Sequence, residues 1–306
     1  MSLSDELRNE LAAIRPRSDC DRRAELSGLF HTAGSVHLRG RGEVSVHLDV
    51  ASAAVARRAF SLLREEGVTS EIRTYRRRAF DRATRYQLHV HGDARALQTL
   101  YEAGVLTQGL APLEHPPRRV VARRCCRAAY LRGALLGAAS LSGPRAPHLE
   151  IRSASPAGAQ FAVELARRDG ARLGAVDRGR HAAAYAKGVD AIADILAIAG
   201  ANTTVLAFRE AAVVSSTRAR ANRLANADHA NLVRTSRAAH DQLRAVETLR
   251  RSGAFTALAP PLREIGELRR RHPTLSLREL ALKCDPPATK ATAARRLEKL
   301  RRLADV

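Results

Sequence analysis

The chain has 306 residues, 45% of them hydrophobic, and a formal charge of +21 from 52 Lys and Arg against 31 Asp and Glu. That is enough chain for one large domain or two ordinary ones, and the charge points to a polyanionic partner. No window reaches the ~18 uncharged apolar residues of a membrane span, the opening Met1-Ser-Leu-Ser-Asp-Glu-Leu is unlike a secretory leader, and the lack of Trp argues against single-strand stacking platforms.

In chain order, the first feature is a duplication. Cys20-Asp-Arg-Arg-Ala-Glu-Leu26-Ser-Gly28-Leu-Phe30-His31-Thr32-Ala33-Gly34-Ser35-Val36 returns as Cys125-Cys-Arg-Ala-Ala-Tyr-Leu131-Arg-Gly133-Ala-Leu135-Leu136-Gly137-Ala138-Ala139-Ser140-Leu141. Cys, Leu, Gly, Ala and Ser coincide at a constant offset of 105. After the first copy, Ser35 to Arg39, Gly40-Arg-Gly42 and the alternating run Glu43 to Val50 predict a hairpin. Ser52 to Glu66 has helical spacing at Val55, Ala56, Ala59, Leu62 and Leu63. Strands are expected over Ser70–Arg77 and Arg85–His91, then a helix over Asp93–Ala103 stopped by Gly104.

Arg73, Arg76, Arg77, Arg78, Arg82 and Arg85 flank this second hairpin and form either a DNA contact or a solvated face. His89 and His91 share a strand face, but no third ligand stands at a recognisable spacing, so they read as a surface pair and no metal is assigned. His31 reads as an interior or rim residue at the base of the motif. Gly137 to Gly143 is small, but it lacks the Lys and spacing of a phosphate loop.

Pro112, Pro116 and Pro117 punctuate the join. The second half then offers a strand at His148–Arg152, a helix over Pro156–Arg168, and strands around Ala171–Val176 and Ala182–Lys187. A helix closes it at Ala199-Gly200. Gly92 to Gly104 matches Gly188 to Gly200 at an offset of 96, so the second copy has shorter loops. The plan is an α+β fold with pseudo-twofold symmetry, αββαββα twice. Its repeats cover about 18–104 and 123–200, in a domain of residues 1–202. Cys20, Cys125, Cys126 and Cys284 form no CxxC pair and read as reduced core thiols of a cytoplasmic protein; no cofactor is expected.

Beyond residue 202 the pattern is helical. Thr203 to Leu224 and Asp228 to Arg251 read as two long helices of a linker (203–257), broken near Asn226, with Asn222 and Asn226 either capping the break, the favoured reading, or contacting phosphate. The tail, 258–306, shows helices at Pro261–Arg271, Ser276–Cys284 and Ala288–Leu303. Ser276 and Glu279 form a capping box, and Asp285-Pro286-Pro287 forces a turn of three residues. A helix, a short turn and a basic helix make a helix-turn-helix, which sets the start of its second helix against base edges in the major groove. Thr292 and Arg295 then read bases, while Arg278, Lys290 and Arg296 touch phosphates, with Thr289 at the helix start. Charge agrees: residues 218–306 hold 20 Lys and Arg against 9 Asp and Glu, a surplus of 11, whereas the first 217 hold 32 against 22.

The segment Leu26 to Gly34 resembles the nine-residue motif of the LAGLIDADG homing endonucleases, with Gly28, Gly34 and Gly133 as helix-pair glycines. The resemblance implies an acid at the eighth position to hold a divalent metal, and cleavage needs such a pair. Ala33 and Ala138 stand there, so no catalytic residue is assigned. Together with the tail, the chain resembles the WhiA family over about residues 1 to 304. That likeness rests on both motifs, on Asn222-Arg-Leu-Ala-Asn226-Ala-Asp-His-Ala-Asn231-Leu, and on Ser276-Leu-Arg-Glu-Leu-Ala through Thr289-Lys290-Ala291-Thr292 to Arg295-Arg296-Leu297. The family's recognition helix usually opens Ser-Lys-Ser; Thr289-Lys290-Ala291 keeps the first hydroxyl and the charge and lacks the second hydroxyl.

The resemblance implies a duplicated LAGLIDADG-like domain followed by an all-α helix-turn-helix domain. It also implies a non-cleaving, sequence-specific transcription regulator of cell division and, in actinobacteria, sporulation. Double-stranded DNA is its expected partner, beside an iron–sulfur protein of the WhiB-like type and the transcription machinery, in the cytoplasm at the nucleoid. Two rival readings are a metal-dependent nuclease using acids outside the motif, such as Asp19 or Asp21, and a scaffold for acidic protein or RNA.

Overall fold

Each copy of the repeated motif folds as a helix of 15 residues, α2 (Asp19–Ala33) and α5 (Arg124–Ala138). The structure is a computed structural model that describes residues 2–38, 44–76 and 84–305. It divides into two units, Met1–Ser216 and Thr217–Val306.

The N-terminal unit opens with α1 (Leu3–Ala13), whose Ser2 and Asp5 form a capping box and whose Leu7 and Leu11 are buried. After α2 come β1 (Gly34–Leu38), β2 (Val44–Val50), α3 (Ala53–Glu65), β3 (Ser70–Arg76), β4 (Thr84–His91) and α4 (Ala94–Glu102). After α5 the same order returns as β5 (Ala139–Leu141), β6 (His148–Ser153), α6 (Pro156–Arg168), β7 (Gly174–Asp177), β8 (Ala182–Lys187) and α7 (Val189–Ala199). The αββαββα plan thus occurs twice. Each half builds an antiparallel four-stranded sheet, in the order β1-β2-β4-β3 and β5-β6-β8-β7.

Local chemistry sets these boundaries. Ser52, Asp93 and Ser155 each accept a backbone N–H of the first helical turn at α3, α4 and α6. Gly200 ends α7 in the left-handed conformation, with φ 98°. Strand β2 shows why one sheet face is covered: Val44, Val46, Leu48 and Val50 are buried with period two, while His47 and Asp49 turn to the other face. Helices cover the apolar face, and one core runs through both halves, from Leu7 and Leu29 to Leu135, Ile192 and Leu196.

Two strand expectations shift. The strand expected around Ala171 starts at Gly174, because the Ala171 N–H is taken by the Ala166 carbonyl in the turn that closes α6. Strand β5, only Ala-Ser-Leu, has too little pattern to be read from sequence. The hairpin turn at 40–42 lies outside the described residues.

Helix α8 (Asn202–Arg251) contains the boundary between the units and runs without interruption for 50 residues. The break expected near Asn226 is absent, and neither Asn222 nor Asn226 caps an end; both are exposed. Asn costs at most about 0.7 kcal/mol against Ala inside a helix, and no Gly or Pro lies between 202 and 251. Glu10 of α1 holds the start of α8, accepting the N–H groups of Thr203 and Thr204 at 2.7 Å each.

The C-terminal unit adds α9 (Pro260–Arg271), α10 (Leu277–Leu282) and α11 (Lys290–Ala304) around Val246, Leu249, Phe255, Ile265, Leu280, Leu297 and Leu300. The turn between α10 and α11 spans 283–289, longer than the three residues expected. Two prolines cannot enter a helix interior, and Thr289 is spent as the N-cap, so α11 starts only at Lys290. No helix among the described residues is long and apolar enough to cross a membrane.

Candidate nucleic-acid interface

Helix α11 buries Ala293, Leu297 and Leu300 against α9 and α10, which turns the opposite side of its first two turns outward. Lys290, Ala291 and Arg295 are exposed there, and Thr292 is half-buried. The Thr289 hydroxyl accepts the Thr292 N–H at 3.1 Å and lies 2.9 Å from the Thr292 hydroxyl. Thr289 is therefore fixed as the cap, and its oxygen holds Thr292 in place. Arg278 on α10 is exposed, and the Ser276–Glu279 capping box fixes the start of that helix.

Arg296 points elsewhere. It is half-buried, and its Nη1 lies 3.7 Å from the Glu264 carboxylate on α9. Glu264 also accepts the Asp285 N–H at 2.6 Å. One acid thus ties both the turn and α11 to the supporting helix, a positioning role with no mark in the sequence. Arg269, buried at 2% exposure, donates to the carbonyls of Pro273 and Leu275 at 3.2 and 2.7 Å and fixes the α9–α10 loop. Burial lowers its pKa.

In the N-terminal unit the second surface is the helix-free face of the first sheet. Arg73 and Arg85 lie on it, since Arg73 pairs with Gln87 and Arg85 with Tyr75. Arg76 pairs with Thr84 and falls in the alternate phase. Arg77, Arg78 and Arg82 lie outside the described residues. Arg73 is engaged by Glu71 at 2.9 Å, and Asp49 accepts from Tyr75 and Gln87, so the described part of this face is near charge balance. Its distinctive feature is a row of imidazoles: His37, His47, His89 and His91 follow one another with ring centroids 4.5–4.6 Å apart. Two of these were visible as a pair in β4. His89 proves buried rather than superficial, and only strand register adds His37 and His47.

The α2–α5 seam ends where the repeated motif ends. A Cβ on Gly28 would overlap the Tyr130 carbonyl and lie 2.8 Å from Ala134 N; one on Gly133 would overlap the Glu25 carbonyl and lie 3.0 Å from Leu29 N. Gly34 does not share this role. It caps α2, and a Cβ there would meet Phe30 of its own helix. The third close approach is at Gly137, whose Cβ would strike the Thr32 hydroxyl and lie 3.3 Å from the Ala33 Cβ. Gly137 stands four residues after Gly133 and so on the same helix face, which was the available signal. Ala33 and Ala138 close their helices with methyl groups, which cannot ligate a metal.

His31 stands two residues before Ala33 in α2. Its Nδ1 donates to the Ser27 carbonyl at 2.7 Å, and burial holds its pKa down at about 4, with the nearby His115 adding to the depression. The unfolded chain binds this proton below about 6.5 and the folded one only near 4. Stability from this group is therefore full above pH 6.5 and falls as pH drops toward 4. His31→Gln is expected to remove about 2 kcal/mol of that acid-side loss, read from denaturation midpoints at pH 7 and 4.5. Equal midpoint shifts in both proteins would refute it.

Comparison with known proteins follows this division. Residues 19–106 match the family model of the WhiA N-terminal LAGLIDADG-like domain, 127–218 that of the WhiA LAGLIDADG-like domain, and 221–304 that of the WhiA C-terminal HTH domain. The chain is 33% identical over 307 residues to a probable cell division protein WhiA of Symbiobacterium thermophilum, covering 100% of this chain and 98% of that one. It is 35% identical over 308 residues to one of Heliobacterium modesticaldum, covering 100% and 96%. Its fold is similar to full-length DUF199/WhiA from Thermatoga maritima, with a TM-score of 0.58 at 20% identity over 100% of this chain and 98% of that one.

Proposed function

The chain belongs to the WhiA family, and from that premise we propose that it is a sequence-specific, non-cleaving DNA-binding regulator of cell division and sporulation genes. The observation that carries this reading is the start of α11: a capped helix N-terminus with Lys290, Thr292 and Arg295 on its outward side and Arg278 beside it. A helix N-terminus favours phosphate through its free N–H groups and dipole. Arg295 can grip guanine O6 and N7 together, and Thr292 reaches the neighbouring base edge. Lys290 and Arg278 take phosphates. Arg296, paired with Glu264, braces the recognition helix rather than touching DNA.

The N-terminal unit supplies a second, weaker surface through Arg73 and Arg85 on the first sheet. Methyl groups at Ala33 and Ala138 support the non-cleaving part. A WhiB-like iron–sulfur protein and the transcription machinery are the proposed protein partners, and the nucleoid is the proposed location.

Chromatin immunoprecipitation with sequencing supplies the operator, and anisotropy titrations of the full chain then test the roles. Arg295→Ala is expected to cost about 1–3 kcal/mol on the operator and to relax preference at one position. Lys290→Ala weakens all duplexes alike and reduces the log K against log salt slope by about 1. Equal affinity for operator, unrelated duplex and RNA, or cutting of plasmid with Mg²⁺ or Mn²⁺, would overturn the reading.

A further inference from the structure

Cys20 and Asp21 open α2, and Cys125 and Cys126 open α5. The offset of 105 makes Cys20 the counterpart of Cys125 and Asp21 that of Cys126. The helix pair therefore brings two ligand-bearing dipeptides together at one end of its seam. The three sulfurs and one carboxylate oxygen all lie within 4.8 Å of one another. We propose that these four side chains form a tetrahedral site for a thiophilic divalent cation of the zinc class, which clamps the two copies together across the internal twofold axis.

The geometry is close to what such an ion requires. Zinc–thiolate bonds of ~2.3 Å at tetrahedral angles separate neighbouring donors by ~3.8 Å. The Cys125 and Cys126 sulfurs are 3.9 Å apart, as are the Cys20 sulfur and an Asp21 carboxylate oxygen. A twofold axis through a tetrahedron exchanges its corners in pairs, and a duplicated dipeptide presents donors in that way. Cys20 is held by the Ser18 hydroxyl at 3.1 Å. Cys126 is buried and Cys125 exposed, so the site has a packed floor and an open mouth through which a cation can enter.

Electrostatics and softness point the same way. Four anionic ligands around a dication leave the loaded site negative, and it sits on the first turns of two helices, whose positive ends favour that charge. Sulfur-rich donors select zinc over magnesium or calcium, which prefer oxygen alone. On binding, each thiol loses its proton to solvent as the metal–sulfur bond forms, with no change of oxidation state. The site is unrelated to the metal position of cleaving homing nucleases. Cys20 and Cys125 stand at the opposite end of the helices from Ala33 and Ala138, thirteen residues or roughly 20 Å away along the axis.

The test uses the full chain, reduced, stripped with chelator and titrated without oxygen with Zn²⁺ or Co²⁺. One equivalent per chain is expected, with thiolate-to-cobalt charge transfer and the strong visible bands of tetrahedral cobalt, displaced by zinc. Cys20→Ser and Cys126→Ser each weaken binding on the order of a hundredfold or more, and Asp21→Asn about tenfold. Cys125→Ser alters an exposed side chain, so its loss of charge-transfer intensity is free of folding effects. Cys284→Ser, in the C-terminal unit, leaves uptake unchanged. No uptake, octahedral cobalt, undiminished binding in the Cys20→Ser/Cys125→Ser double variant, or a disulfide within the cluster in place of metal would each overturn the proposal.

Discussion

Gly133→Ala will destabilise the N-terminal unit by about 3 kcal/mol or more, and Gly28→Ala will do the same. Overpacking a core usually costs about 1–3 kcal/mol because neighbouring side chains give way. Here the added carbon meets backbone on the partner helix, the Glu25 carbonyl in one case and the Tyr130 carbonyl in the other. Neither can rotate aside, so the helices must part. Leu26, Leu29, Leu135 and Leu136, all buried at 1% exposure or less, would lose contact with them. The two costs should not add in a double variant, since both open the same seam. With no Trp in the chain, far-ultraviolet circular dichroism against denaturant is the suitable readout. A change below about 0.5 kcal/mol in either single variant would contradict this account.

The second large effect is expected at Glu25, which is fully buried. Arg58 of α3 grips its carboxylate with two hydrogen bonds of 2.7 and 3.2 Å, and Arg132 of α5 adds a third at 2.8 Å. Arg132 also reaches the Ala199 carbonyl at the end of α7, at 3.4 Å, where a helix C-terminus favours a cation. Glu25→Ala leaves two guanidinium groups in the interior without their anion, and about 3–5 kcal/mol of stability should be lost. Replacing Glu25, Arg58 and Arg132 together by Leu should recover most of that, because the cost comes from stranded charge rather than from a missing attraction. If the triple variant is no more stable than Glu25→Ala, the explanation fails.

What the sequence disclosed follows from where information is carried along the chain. The duplication is legible because Leu26 and Leu131, Gly28 and Gly133, and Ser35 and Ser140 stand at one fixed offset. Helices α3 and α6 are legible because their buried positions recur with helical period and a Ser caps each. Helix α11 shows itself through its capping hydroxyl and basic face. The Glu25 triad does not, because its members are separated by up to 107 residues and each alone looks like a surface charge. Cys20 and Cys125 were aligned by the repeat, yet proximity across a symmetry axis is a property of packing, not of spacing. Glu264 escaped for the same reason: an acid on an amphipathic helix carries no mark that it receives the Asp285 N–H. In α8 two Asn residues suggest a stop, but the helix continues because the stretch holds no Gly or Pro.

Residue 25 of the first copy corresponds to residue 130 of the second, and these are Glu and Tyr. An assembly of two identical subunits would place the same residue on both sides of its dyad and would have to bury two carboxylates, or two phenols, where this chain buries one of each. Fusing the copies into one polypeptide frees each side to mutate alone. The interior can then hold a single acid between two arginines, an arrangement that strict symmetry would forbid.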